Sequence, residues 1–170
     1  MFATFALSAL IMIAPADAGA QAKPADAKPT TAQSKPAPPA AKPGAARVVE
    51  IMASDDMKYS VTDIPAKAGE TLRLKLVSKG TLPKVAMAHN VVVLKAGAKQ
   101  TDFANAAAMA RATDFIPPDM KDQVMGASGL AGPGETVEVS VKIPAAGSYP
   151  FICTFPGHFA AGMRGTITAK

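Results

Sequence analysis

From Arg47 onward, apolar and polar residues alternate with the period of two that marks a half-buried β-strand. The segment Thr71-Leu72-Arg73-Leu74-Lys75-Leu76-Val77-Ser78 alternates strictly and sets Leu72, Leu74 and Leu76 on one face. Residues 135–143 repeat the pattern with Val137, Val139, Val141 and Ile143. Residues 47–53, 57–61, 148–153 and 165–169 read as further strands, with Asp55-Asp56 as a turn between the first two. Residues 89–94 form a near-continuous apolar strand, 65–70 a turn and 79–84 a loop. The period changes once, over 101–113, where Phe103, Ala106, Ala107 and Ala110 fall at i, i+3, i+4 and i+7. This spacing predicts a helix with Thr101 or Asp102 as its N-cap, stopped by Pro117-Pro118. Residues 119–134, with four glycines, read as a loop. Seven to eight short strands and one short helix predict an all-β domain, a Greek-key β-sandwich or barrel.

Before Arg47 this patterning is absent. Met1 to Ala14 is apolar and Ala16-Asp17-Ala18 fits a small-residue cleavage site, so 1–18 reads as a secretory signal, although no Lys or Arg precedes the apolar run. The run falls short of the about 20 apolar residues that span a bilayer. Residues 19–46 are Ala, Pro and Lys with almost no large apolar side chain. Such a segment cannot bury enough surface to offset its ordering entropy and is expected to be a disordered linker. The chain therefore divides into signal 1–18, linker 19–46 and domain 47–170. The expected location is periplasmic or extracytoplasmic, with membrane association through the N-terminal segment if it is retained.

Charge adds little to this picture. The net charge of +5 is not evenly placed: 19–46 holds four Lys against one Asp, and 47–170 fourteen Lys/Arg against eleven Asp/Glu, a mild bias. No basic run or basic helix is present, which argues against a nucleic-acid partner.

The chemistry-bearing residues are few and concentrated. The single cysteine, Cys153, lies in Phe151-Ile152-Cys153-Thr154-Phe155-Pro156-Gly157-His158, and Met163 follows five residues later. The other histidine, His89, stands in the strand-like Met87-Ala88-His89-Asn90-Val91. One thiolate, two imidazoles and a weak thioether are the ligand set of a blue-copper electron-transfer site. Taken singly, a buried free cysteine is usually inert, a lone histidine usually structural, and a methionine usually core filler; together at this spacing they point to a metal. A copper carrier is the alternative use of the same ligands. A Cys–His nucleophile is a further one, but no Asn or Asp orienting His158 is evident, so no catalytic residue is assigned and the chain is read as not an enzyme. Two histidines leave none for a second copper centre, and one cysteine rules out both a binuclear copper site and an internal disulfide.

Cys-Thr-Phe-Pro-Gly-His followed by Met-x-Gly-Thr resembles the copper loop of azurins, and 54–59, 82–90 and 101–130 are similar to azurins in order and spacing. The resemblance covers about 47–170 and implies a cupredoxin-like fold, one type 1 copper and electron transport. It implies His89, Cys153, His158 and Met163 as ligands, with the Ala88 carbonyl a candidate second axial contact. Asn90 and Thr154 would tie strand to loop, and the N–H groups of Asn90 and Phe155 would donate to the Cys153 sulfur. Four residues separate His158 from Met163, one more than azurins usually have and closer to auracyanins and plastocyanins. The family's glycine before the strand histidine is Ala88 here, and its disulfide has no counterpart. One edge of His158 is expected to reach solvent within an uncharged docking patch of Met57, Met87, Pro156, Gly157, Phe159 and Ala160. The expected partner is a c-type cytochrome or a membrane redox complex.

Overall fold

The computed structural model describes residues 46–170. The predicted signal and, apart from Ala46, the predicted linker lie outside these residues. Within them, eight strands and one α-helix follow in order: β1 (Arg47–Ala53), β2 (Asp63–Ala66), β3 (Thr71–Ser78), β4 (Val92–Leu94), α1 (Gln100–Met109), β5 (Val124–Ala127), β6 (Thr136–Lys142), β7 (Gly147–Ile152) and β8 (Arg164–Ala169). A three-stranded sheet runs β1-β3-β6 and a five-stranded sheet runs β2-β8-β7-β4-β5. The pairs β1·β3 and β2·β8 are parallel and the remaining pairs antiparallel. This is the all-β sandwich that the alternation predicts.

The inward positions of both sheets meet in one core. Ile51, Leu72, Leu74, Leu76 and Val141 face Ile64, Val93, Phe151 and Ile167, all buried. Each such side chain stabilises the fold by about 1.5–3 kcal/mol of hydrophobic transfer. A second, smaller cluster lies on the outer side of the five-stranded sheet, where Phe103 and Ala107 of α1 pack on Val92, Leu94 and Ile152. β4 and β7 are thus buried on both faces, which is why 91–94 is apolar without alternation.

Several boundaries differ from the sequence pattern, each for a local reason. Residues 57–61 are not a strand: Met57 sits at φ 55 and closes a turn to the Ser54 carbonyl at 3.0 Å, leaving Tyr59 with a single bridge to Ala53. β2 runs into the first two residues of the predicted turn at 65–70, and the chain turns at Ala68-Gly69; Pro65 is tolerated because β2 is an edge strand with one neighbour. β5 lies inside the predicted loop 119–134. It is short and half-buried, and Gly126 is required there because a Cβ would stand 2.7–2.8 Å from Val139 and Val141 of β6. The helix begins one residue early, with Lys99 at the N-cap and no side-chain cap, and ends at Met109; Arg111–Thr113 continues as a 3-10 turn. None of the described helices is long and apolar enough to cross a membrane.

Candidate metal centre

The site forms where two segments, distant in sequence, meet at one end of the five-stranded sheet. The residues leading into β4 supply His89, whose backbone pairs with Ala131 through bonds of 2.9 and 2.7 Å. β7 leads directly into Cys153. Asn90 joins the two: its Nδ2 donates to Thr154 Oγ1 at 2.8 Å, and the Thr154 N–H donates to Asn90 Oδ1 at 2.9 Å. Both residues are buried, so the pair satisfies polar groups that would otherwise be costly to enclose.

One ligand atom from each of His89, Cys153 and His158 lies within 4.8 Å of the others, and all three residues are buried. Cys153 Sγ and His158 Nδ1 are 3.5 Å apart, and the two imidazole rings stand 5.0 Å apart between centroids. Both ring nitrogens of His89 are buried without a hydrogen-bond partner. Buried polar atoms are normally paired, so this donor set suits a soft or borderline metal ion at the shared point.

Electrostatics agree with that fit. Burial pushes the Cys153 thiol up to about 11, against the N–H groups of Asn90 and Phe155 that donate to its sulfur. His158 is brought down to about 4, by burial first and then by the nearby His89. His89 is lowered by burial, offset in part by the carboxylates of Asp55 and Asp56. Asp55 itself is held below the usual carboxylate range, chiefly by the Thr81 N–H and hydroxyl, each 2.8 Å from Oδ2. Without metal the three groups are neutral; a cation there displaces the thiol proton.

Met163 is fully buried in the same loop. Its N–H donates to the His158 carbonyl at 3.0 Å and its carbonyl accepts the Cys153 N–H at 3.1 Å. Ala88 is buried beside His89. Of the predicted docking residues, Pro156, Gly157 and Ala160 are exposed, while Met57, Met87 and Phe159 are half-buried. Two features differ from the expected patch. His158 is only 2% exposed, with Phe155 packed 4.9 Å from its ring, so its edge scarcely reaches solvent. The patch is also bordered by charge: the Arg164 guanidinium lies 5.0 Å over the Phe159 ring, and Lys58 bonds to the Ala161 carbonyl.

Three neighbours of the site carry no motif in the sequence. Tyr59 is buried, and its hydroxyl donates to the Asn90 carbonyl at 2.5 Å. Val85 is 74% exposed and, with Lys84, Phe115, Leu130, Phe155 and Pro156, lines a groove of about 580 Å³ beside the loop. Ser128 accepts the Val91 N–H at 2.9 Å, bracing the segment after His89. The signal available for Val85 was an apolar residue directly after the predicted loop 79–84.

Residues 46–170 match the model of a protein family described as copper binding proteins, plastocyanin/azurin family. The chain is 34% identical to auracyanin-B of Chloroflexus aurantiacus over 125 residues, covering 72% of this chain and 52% of that protein. It is 35% identical to azurin of Pseudomonas denitrificans over 127 residues, covering 72% of this chain and 97% of the azurin. The chain thus spans about half the length of auracyanin-B. The crystal structure of dithionite-reduced auracyanin from Roseiflexus castenholzii superposes with a TM-score of 0.65 at 28% identity, over 75% of this chain and 99% of that one.

Proposed function

Since this chain belongs to the plastocyanin/azurin family of copper-binding proteins, we propose that it transfers electrons at one type 1 copper site that His89, Cys153 and His158 would hold, with Met163 as a further, weak ligand. The observation that carries this reading is the convergence of three buried ligand atoms within 4.8 Å on a β-framework. When bound, copper supplies one-electron chemistry between Cu(II) and Cu(I). The protein's part is to hold ligands that suit both states with little movement. The Asn90 and Phe155 N–H groups stabilise the Cys153 thiolate, and the Asn90–Thr154 pair keeps the His89 and Cys153 segments in register. Burial excludes water from the ligands. The Ala88 carbonyl, beside His89, is a candidate for a further weak contact.

Addition of Cu(II) should produce an intense visible thiolate-to-copper charge-transfer band, and Cys153→Ser should abolish it. A folded protein that binds Cu(II) without colour would refute the assignment. Met163→Leu should keep copper and raise the reduction potential; loss of copper would instead make Met163 a structural ligand.

Electrons reach the site through the thin cover over His158. The exposed Pro156, Gly157 and Ala160, with Met57, Met87 and Phe159 and the adjoining groove, which also carries Lys84, Arg111 and Asp114, form the docking face. An apolar face of modest area suits brief contact and fast release. A c-type cytochrome or membrane redox complex in an extracytoplasmic compartment is the partner that fits. Residues 47–170 are the redox domain, and the N-terminal segment gives export, with membrane association if it is retained. Ala160→Asp should slow exchange with the partner while leaving the spectrum intact; an unchanged rate moves the docking face elsewhere.

A further inference from the structure

We infer that Lys58 is a positioning residue for Met163: it closes the four-residue turn between His158 and Met163 and so sets where the thioether lies. The inference rests on the copper reading above.

Four residues separate His158 from Met163, and the backbone takes up that length as a coil of overlapping turns. The Ala161 N–H donates to the Gly157 carbonyl at 3.0 Å, and the Gly162 N–H to Phe159 at 2.9 Å. The Met163 N–H reaches five residues back to His158 at 3.0 Å. Gly162 stands at φ 95, which an L side chain rarely adopts, and ends the coil. Among the described residues no backbone N–H reaches the Ala161 carbonyl. Lys58 Nζ bonds to it instead, across 103 positions of sequence. The same ammonium lies 2.9 Å from where a Cβ on Gly162 would stand, so it touches both residues ahead of Met163.

Lys58 can act as a fixed point because its own backbone is held on both sides. Met57 before it is in the left-handed region at φ 55, closed to Ser54 at 3.0 Å. Tyr59 after it bridges to Ala53, and Ser60 bonds to Met52 through its N–H at 2.9 Å and its hydroxyl at 2.8 Å. A long, mobile side chain on a fixed backbone, capping a single carbonyl, restricts the turn without rigidifying the rest of the loop. On the far side Arg164 lies over the Phe159 ring, so the coil is held at two points.

The experiment compares wild type, Lys58→Ala and Lys58→Arg by two measurements. In the metal-free proteins, amide hydrogen exchange at Gly162 and Met163 is followed by NMR; Lys58→Ala should exchange about tenfold faster, since local opening sets the rate, and Lys58→Arg should stay near wild type. In the Cu(II)-loaded proteins, the intensity ratio of the two thiolate charge-transfer bands reports the axial geometry; Lys58→Ala should shift it and Lys58→Arg should restore it. Unchanged exchange in Lys58→Ala overturns the proposal. Faster exchange with an unchanged band ratio also overturns it, because the lysine would then steady the turn without placing Met163. A wild type that stays colourless with Cu(II) refutes the copper reading instead, an outcome separate from either.

Discussion

On the three-stranded sheet the outward face is open to solvent: Glu50, Arg73, Lys75 and Glu138 pair across strands there, Lys75 with Glu50 at 2.9 Å and Arg73 with Glu138 at 3.8 Å, beside the exposed Val48 and Met52. On the five-stranded sheet the outward positions of β4 and β7 are Val92, Leu94 and Ile152, and α1 covers them. Both sheets contribute inward residues to the same core. The difference is that one sheet is packed on one face and the other, at its centre, on two. The proposed ligands hang from the doubly packed strands, His89 just before β4 and Cys153 just after β7. Close packing on both faces leaves those strands little room to shift, which is what a site of fixed geometry needs.

The largest effect should come from breaking the core on either sheet. Phe151→Ala and Leu74→Ala each remove a fully buried side chain and should cost about 3–5 and 2–5 kcal/mol by denaturant titration. Only Phe151→Ala, or its milder form Phe151→Leu, should also disturb the copper band; an equal disturbance from Leu74→Ala would erase the distinction between the sheets. Next in size is Tyr59→Phe. It leaves the buried Asn90 carbonyl without its 2.5 Å partner and should cost about 1–3 kcal/mol, with copper retained.

Acidity gives a third test. His158 is held near 4 against an ordinary 6.5, so between these values the unfolded chain binds more protons than the folded one. Stability of the metal-free protein is therefore fully present above about 6.5 and falls as pH drops toward 4. Thermal melting across that window checks it, and a flat profile would mean His158 is not buried as described. The smallest effect belongs to the exposed face: Lys75→Ala should change stability by no more than about 1 kcal/mol and leave the spectrum alone.

The sandwich was legible because alternation is a local consequence of burying one face. Thr71–Ser78 shows Leu72, Leu74 and Leu76 inward in the structure as in the pattern. The same local rule misses β2, where Pro65 mimics a turn, and β5, where glycine and half-burial blur the period. It also reads 57–61 as a strand, because a left-handed Met57 leaves no mark in hydropathy.

What the sequence by itself determined is the stock of ligand types and the strands that mount them: one thiol, two imidazoles, and a Pro-Gly loop between β-type segments. Only the tertiary structure decided that His89 lies within ligand distance of Cys153, that Tyr59 and Lys58 brace the two halves of the site from one short turn, and that His158 lies almost wholly under cover. The reason is physical. Residue type and period act over a few positions along the chain, whereas a carbonyl's hydrogen-bond partner and an imidazole's exposure depend on which distant segment the packing brings beside it.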